Sequence, residues 1–260
     1  LITGASGYIA HNLIKCLMSF DCTIVCFSRN IKKIKKQEGN ATLILLEASY
    51  QEFDAFQNAV KGIDVIFHLA AQTSIYAAEK SPYDDYKANV EPMRLLLNAC
   101  KITGCRPIIV FSGTSTQCGI PKILPVDENV IDNPITVYDF HKLQAENWIK
   151  FYTNQGWVQG TSMRLTNVYG PGPISSSHDR GILNLMIKKA FNGEPLLIYG
   201  EGDYIRDYIF INDVVETFLV IPIYINSMIG RHFILGSGLG VTISDAIKLV
   251  GKIVSKETNL

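Results

Sequence analysis

Tyr138 and Lys142 stand four residues apart in the stretch TVYDFHKL (136–143), one helical turn from each other and on one face if the stretch is helical. A phenol with its ordinary pKa near 10 is a poor base at neutral pH. A nearby ammonium favours the ionised phenol, so such a couple can take up or deliver a proton. The spacing alone also occurs by chance in many helices. Its meaning therefore rests on what the rest of the chain builds around it.

A second chemistry-bearing stretch opens the chain. TGASGYIA (3–10) is a GxxGxxA pattern between a short apolar strand stub, Leu1-Ile2, and an amphipathic run. Gly4 would permit a tight turn and Gly7 a close approach of backbone to a pyrophosphate. Ala10 would permit close helix–strand packing. The helix that follows would offer free N–H groups and a partial positive charge to the phosphates. Further on, Phe27-Ser28-Arg29-Asn30 puts a hydroxyl and a guanidinium where an acidic residue would meet a ribose diol. That pair suits a 2′-phosphate better, which tilts the cofactor expectation slightly from NAD toward NADP.

The elements that must hold these residues follow from the hydrophobic pattern. CTIVCFS (22–28), TLILLE (42–47), DVIFHLAA (64–71) and PIIVFS (107–112) are short, apolar runs rich in β-branched residues, as expected of strands buried on both faces. The amphipathic stretches 8–20, 50–62 and 84–104 lie between them. Pro92 either bends the last of these or marks its true start. This cadence predicts a parallel, doubly wound α/β sheet. Beyond about residue 165 a Gly/Pro/Ser loop (168–181), a helical run (182–193) and strand-like pieces at 195–200, 207–212 and 232–238 predict a smaller mixed α/β lobe. Ligands in such folds sit at the carboxyl ends of the strands.

Composition narrows the classes. The 260 residues include 47% hydrophobic and 18% charged residues, a globular profile. Lys+Arg and Asp+Glu are equal at 24 each, so no bulk field draws nucleic acid or an anionic membrane. No apolar run reaches transmembrane length, and LITGASG is no signal peptide. The 6 cysteines form no CxxC pair and the 5 histidines no paired ligand spacing, so no metal site is expected. Free thiols in a reducing cytosol, hence a cytoplasmic protein, are the expectation. The missing initial Met and the unmarked end at SKETNL are those expected of a trimmed chain.

Taken together, TGASGYIA (3–10), DVIFHLAA (64–71), YKANV (86–90), VFSGTSTQCG (110–119), VYDFHK (137–142), RLTNVYGPG (164–172) and RDYIFINDV (206–214) resemble, in order and over nearly the whole chain, the extended short-chain dehydrogenase/reductase family of NAD-dependent epimerases/dehydratases that act on nucleotide sugars. The resemblance implies a Rossmann-type dinucleotide-binding domain over 1–165. A nucleotide-sugar-binding lobe over 166–260 would be interleaved with it and incomplete at its C-terminus. It also implies a homodimer paired through helices around 84–104 and 136–156.

The same resemblance implies the site. Tyr138 would be the acid/base, Lys142 its activator and ribose contact, and Thr114 the hydroxyl beside the reacting oxygen, with Ser112, Ser115 and Thr116 as alternatives. Gly4, Gly7, Tyr8, Ile9, Ser28, Arg29, Glu47, Ala48, Leu69, Ala70, Ala71 and Asn89 would join Tyr138 and Lys142 around the cofactor. Ser74, Thr114, Ser115, Asn167, Tyr199 and Arg206 would meet the substrate, the last of these at its phosphates. The chain departs from the pattern at Cys118, where a tyrosine is usual, and at His141, where a serine is common. Ser115 and Thr116 replace the Asp-Glu pair of the dehydratases, which argues against 4,6-dehydration. The expected activity is 4-epimerisation of a nucleotide-linked hexose. The alternatives are an NADPH-dependent 4-keto reductase and, less favoured because Tyr138 and Lys142 are both kept, a non-catalytic dinucleotide-binding protein. An enzyme acting on a non-nucleotide alcohol fits Arg206 and Asn167 poorly.

Overall fold

The computed structural model describes residues 1–35, 37–173, 181–198 and 200–258. In chain order the elements are β1 (Ile2–Thr3), α1 (Tyr8–Leu17), β2 (Thr23–Ser28), β3 (Thr42–Glu47), α2 (Phe53–Ala59), β4 (Val65–His68), α3 (Ile75–Lys80), α4 (Pro82–Asn89), α5 (Glu91–Thr103) and β5 (Ile108–Thr114). A short 3-10 turn, Ser115–Cys118, then leads towards α6 (Val137–Asn154), β6 (Gln159–Leu165), β7 (Asn167–Tyr169), α7 (Ile182–Phe191), β8 (Ile205–Phe210), α8 (Ile211–Met228), β9 (His232–Leu235), β10 (Gly240–Thr242) and α9 (Ile243–Thr258).

A seven-stranded sheet of order β3-β2-β1-β4-β5-β6-β9 pairs in parallel throughout. The chain winds outward from β1 to β3, then returns to lay β4 on the other side of β1, which makes β1/β4 the switch point where such sheets open a crevice. Neighbouring residues of one strand feed opposite layers. Phe27, Ile66 and Phe111 pack with Phe56, Leu96 and Ile149 on one face, while Cys26, Phe67 and Val110 pack with Leu13, Ile14 and Phe218 on the other. This two-sided burial is why the strands read as continuous apolar runs; each large side chain so buried contributes roughly 1.5–3 kcal/mol.

Four expectations are corrected. TLILLE is the edge strand β3, with Ile44 and Leu45 about half exposed, because no strand pairs beyond it. The stretch 84–104 is two helices, α4 and α5, broken at Val90, so Pro92 marks a helix start and not a bend; in the first turn of α5 its missing N–H costs nothing. PLLIYG forms no strand over its described residues 195–198. HFIL is β9 of the large sheet, paired with β6, rather than part of the small lobe. That lobe carries the mixed three-stranded sheet β10-β8-β7, with β10–β8 antiparallel and β7–β8 parallel. Beyond residue 165 the chain thus serves both sheets, since α8 packs beside α1 over the large one. Among the described residues no helix is long and apolar enough to cross a membrane.

Candidate active site

Register brings the motifs to one edge. Thr3 pairs with Phe27 and with His68, His68 with Phe111, and Thr114 with Leu165, so the ends of β1, β2, β4, β5 and β6 open on the same side. Gly4 turns the chain there with φ +69°, and a Cβ on it would lie 2.7 Å from Ala70 N. Only glycine fits that close passage of two strand ends. Gly7 is the N-cap residue of α1 and supplies no capping side chain, which leaves the first-turn N–H groups of Tyr8 and Ile9 for an anion. Tyr8 itself reaches away, its hydroxyl donating to Gly170 O at 3.0 Å and so tying the helix to the 170–172 loop.

Tyr50, which no motif pointed to, accepts the Gly4 N–H on its hydroxyl at 2.8 Å and donates to Phe27 O at 3.3 Å. Burial raises its pKa, partly opposed by the Gly4 N–H. Ser28 is buried and donates to Ser6 Oγ at 2.9 Å, which joins the end of β2 to the glycine-rich loop. Exposed Arg29 lays its guanidinium 5.6 Å from the Tyr50 ring centre. Glu47 is exposed at the end of β3, and Ala48 N donates to Ser28 O at 3.2 Å. Leu69 and Ala70 follow β4 as packed apolar residues beneath this rim, and Ala71 is partly exposed beside them.

The couple lies on the buried face of α6, with Tyr138 5% and Lys142 3% exposed. Thr136 caps the helix by accepting the Asp139 N–H at 3.1 Å, which fixes where Tyr138 begins its first turn. Lys142 Nζ stands 4.2 Å from the Phe111 ring centre on β5. Its charge also reaches His68 at the end of β4, whose pKa falls to about 3, first by burial and then by this ammonium. Thr114 closes β5; its hydroxyl meets that of Thr116 at 2.8 Å, and Thr116 donates to Asp139 on α6. Thr114, Tyr138 and Lys142 are thereby held on adjoining elements. Ser115 is half-buried, and its carbonyl accepts from Cys118 Sγ at 3.0 Å. The carboxylate linked to Thr114 through Thr116 belongs to Asp139, brought in from α6 rather than from positions 115 or 116.

Two buried networks brace this edge. His141 Nδ1 lies 2.7 Å from Asp85 Oδ2, and Asp85 Oδ1 accepts from Gln72 Nε2 at 2.7 Å and from Asn89 Nδ2 at 2.9 Å. Asn89 also donates to Gln72 O at 3.0 Å, so it holds the loop after β4, while its Oδ1 has no hydrogen-bond partner among the described residues. On the other side, Arg164 forks to Asp132 at 2.6 and 2.8 Å and to Glu146 at 2.7 and 3.0 Å. Gln117 links that cluster to the site by donating to Glu146 Oε2 at 3.1 Å and accepting the Thr114 N–H at 3.1 Å.

The expected substrate residues are less concentrated. Ser74 caps α3, its hydroxyl accepting the Ala77 N–H at 3.1 Å. Asn167 starts β7 two residues past the end of β6 and donates to Asp207 O at 3.0 Å. Arg206 is exposed on the adjoining β8 and donates to Ile205 O at 2.8 Å. Asp207, unmarked in the sequence, gathers the 237–238 loop by accepting Ser237 N and Oγ, both at 2.8 Å, and Gly238 N at 2.9 Å. Tyr199 and most of the 172–181 loop lie outside the described residues.

Comparison with known proteins agrees with this architecture. A family model described as the NAD dependent epimerase/dehydratase family matches residues 1–236. A putative UDP-glucose 4-epimerase of Methanocaldococcus jannaschii is 24% identical over 96% of this chain and 80% of its own length. The UDP-glucose 4-epimerase of Mycolicibacterium smegmatis is 27% identical over 84% of this chain and 71% of its own. The crystal structure of UDP-glucose 4-epimerase from Thermotoga maritima with UDP-glucose superposes with a TM-score of 0.87 at 25% identity, covering 98% of this chain and 82% of that one.

Proposed function

The chain belongs to the NAD dependent epimerase/dehydratase family, and from that premise we propose that it is a nucleotide-sugar 4-epimerase acting on a UDP-linked hexose. The observation that carries the reading is the placement of buried Tyr138 and Lys142 on α6 beside Thr114, at the strand ends that also hold the glycine-rich turn. The residues fit a dinucleotide: Gly4 in its tight turn, the open N-terminus of α1, and the small Ala70 and Ala71 below. A bound nicotinamide supplies a reversible hydride acceptor for the sugar C4 carbon.

In this reading Tyr138 takes the C4 hydroxyl proton and later returns it, while Lys142 stabilises the phenolate and orients the cofactor ribose. Thr114 hydrogen-bonds the reacting oxygen. Asn167 and Arg206 hold the pyrophosphate, the latter as a planar donor fork. Ser115 and Thr116 leave the sequence positions of the dehydratase acid pair without carboxylates, which favours epimerisation over dehydration. The exposed Tyr83, Ile102, Phe140 and Phe151 on α4, α5 and α6 suit a homodimer. Six free cysteines suit a reducing, cytoplasmic setting.

One feature favours the second reading, an NADPH-dependent 4-keto reductase. A recess beside α1 is lined by Ser6, His11, Lys33 and Lys35. The His11 pKa is lowered, first by burial and then by the charges of Lys35 and Lys15, which marks a positive field suited to a 2′-phosphate. The deciding experiment denatures protein purified without added cofactor and identifies the dinucleotide released. Bound NAD, with UDP-hexose interconversion needing nothing further, is the expected result. An empty protein that prefers NADPH to NADH would give the place to the reductase.

A further inference from the structure

Thr114 has one hydroxyl proton, and its direction decides what the residue does for a reacting oxygen. An alcohol gives its proton away and is met best by an acceptor; a carbonyl is helped only by a donor. Here the direction follows from counting protons. The Thr116 hydroxyl donates to Asp139 Oδ1, and the Thr136 hydroxyl donates to Asp139 Oδ2 at 2.7 Å. Asp139 is 2% exposed in the first turn of α6, where unpaired N–H groups favour a negative charge, and a carboxylate only accepts. With its single hydroxyl proton committed, Thr116 can meet the Thr114 hydroxyl, 2.8 Å away, only as an acceptor. Thr116 N–H also points to Thr114 Oγ1, at 3.4 Å. The Thr114 proton is therefore turned back into the protein, and a lone pair is left for the ligand.

We propose that Asp139 is a positioning residue which, through Thr116, holds Thr114 as a hydrogen-bond acceptor, so that the resting site favours the sugar alcohol over its 4-keto form. The proposal rests on the reading of Thr114 and Tyr138 given above. The C4 hydroxyl has a single proton, so it turns from Thr114 to the Tyr138 phenolate as oxidation begins, and the new carbonyl is met first by the phenol that has received it. Thr114 joins as a donor only by releasing Thr116. Little ketone should then accumulate during turnover.

The test measures, by near-ultraviolet absorbance, the fraction of bound nicotinamide that is reduced at equilibrium with UDP-glucose. Thr116→Val removes the acceptor that holds the Thr114 proton. Asp139→Asn lets an amide donate to Thr116 and reverses the chain. Both should raise the reduced fraction about five- to tenfold, the worth of one hydrogen bond changing sides, while Thr116→Ser restores the wild-type value. Melting temperature and cofactor content confirm that each variant is folded. An unchanged or lower fraction in folded Thr116→Val overturns the proposal. If the wild-type protein neither converts UDP-hexoses nor reduces its cofactor with them, the activity reading fails on its own. Neutron diffraction of the deuterated wild-type protein then decides: a deuteron bonded to Thr114 Oγ1 and directed at Thr116 supports the assignment, and a Thr114 deuteron turned into the cleft, or a Thr116 deuteron directed at Thr114, overturns it.

Discussion

Burying a lysine costs solvation that a structural role seldom repays, and Lys142 is buried with its ammonium against the Phe111 ring rather than on the surface. Such placement makes sense if the charge serves the phenol one turn before it. Tyr138→Phe is therefore expected to lower kcat for UDP-hexose interconversion by roughly 10²–10⁴-fold with a much smaller change in KM, the usual worth of a positioned proton-transfer group. Lys142→Met should do the same and also weaken dinucleotide binding. Turnover assays with melting temperatures as controls test both; near-normal kcat in folded Tyr138→Phe would remove the residue from the chemistry. The couple was legible because its two members sit on one helix. Asp139 was not, although it adjoins Tyr138, because its partner Thr116 lies on a different element 23 residues away. Tyr50 left no trace either, since its bond to Gly4 spans 46 positions.

At the scale of elements, the site is the meeting of strand ends, and two of its supports can be tested separately. Gly4→Ala places a Cβ 2.7 Å from Ala70 N at a φ of +69°, so backbone must shift. A loss of about 2 kcal/mol in denaturant unfolding is expected, with weakened dinucleotide binding; a tolerated substitution would mean the strand ends have slack. Arg164→Met leaves fully buried Glu146 with Lys150, at 2.6 Å, as a remaining cation. The expected cost is about 3 kcal/mol, at the low end for a broken buried pair because that cation persists. Turnover should fall as well, since Gln117 ties Thr114 to Glu146; an unaffected kcat would uncouple the ion cluster from the site. Periodicity revealed β2, β4 and β5, which are buried on both faces, but passed over the equally buried β6 because Gln159, Gly160, Thr161, Ser162 and Arg164 break its apolar run. It misplaced HFIL because its partner strand β6 is encoded by no local pattern, whereas Pro92 did mark the break within 84–104, at the start of α5.

For the whole molecule, these buried groups predict acid sensitivity with a definite shape. His68 is neutral inside: burial first, then Lys142, holds its pKa at about 3 against 6.5 in a free imidazole. Between those values the unfolded chain binds a proton that the folded one refuses, so stability falls as pH drops below 6.5 and the loss is complete only past 3. His232 acts in the same sense, lowered first by burial and then by Arg164. Glu146 follows later. Burial pushes its carboxyl up, but the hydrogen bonds and charges of Arg164 and Lys150 outweigh that and bring it to about 2 from 4.5, so its contribution is lost only as pH falls through that lower interval. Between about pH 6 and 4.5, below the interval in which the buried Leu1 amino group acts, the slope therefore belongs to the histidines. Replacing His68→Gln keeps a hydrogen-bonding partner for Thr3, whose hydroxyl now meets Nδ1 at 3.0 Å, and removes one titrating proton. Unfolding free energy between pH 6.5 and 4.5 should then decline less steeply than in the wild type, by about 1.4 kcal/mol per pH unit, the weight of one proton. Equal slopes in the two proteins would mean that His68 is already charged when folded, so that neither burial nor the charge of Lys142 holds it neutral.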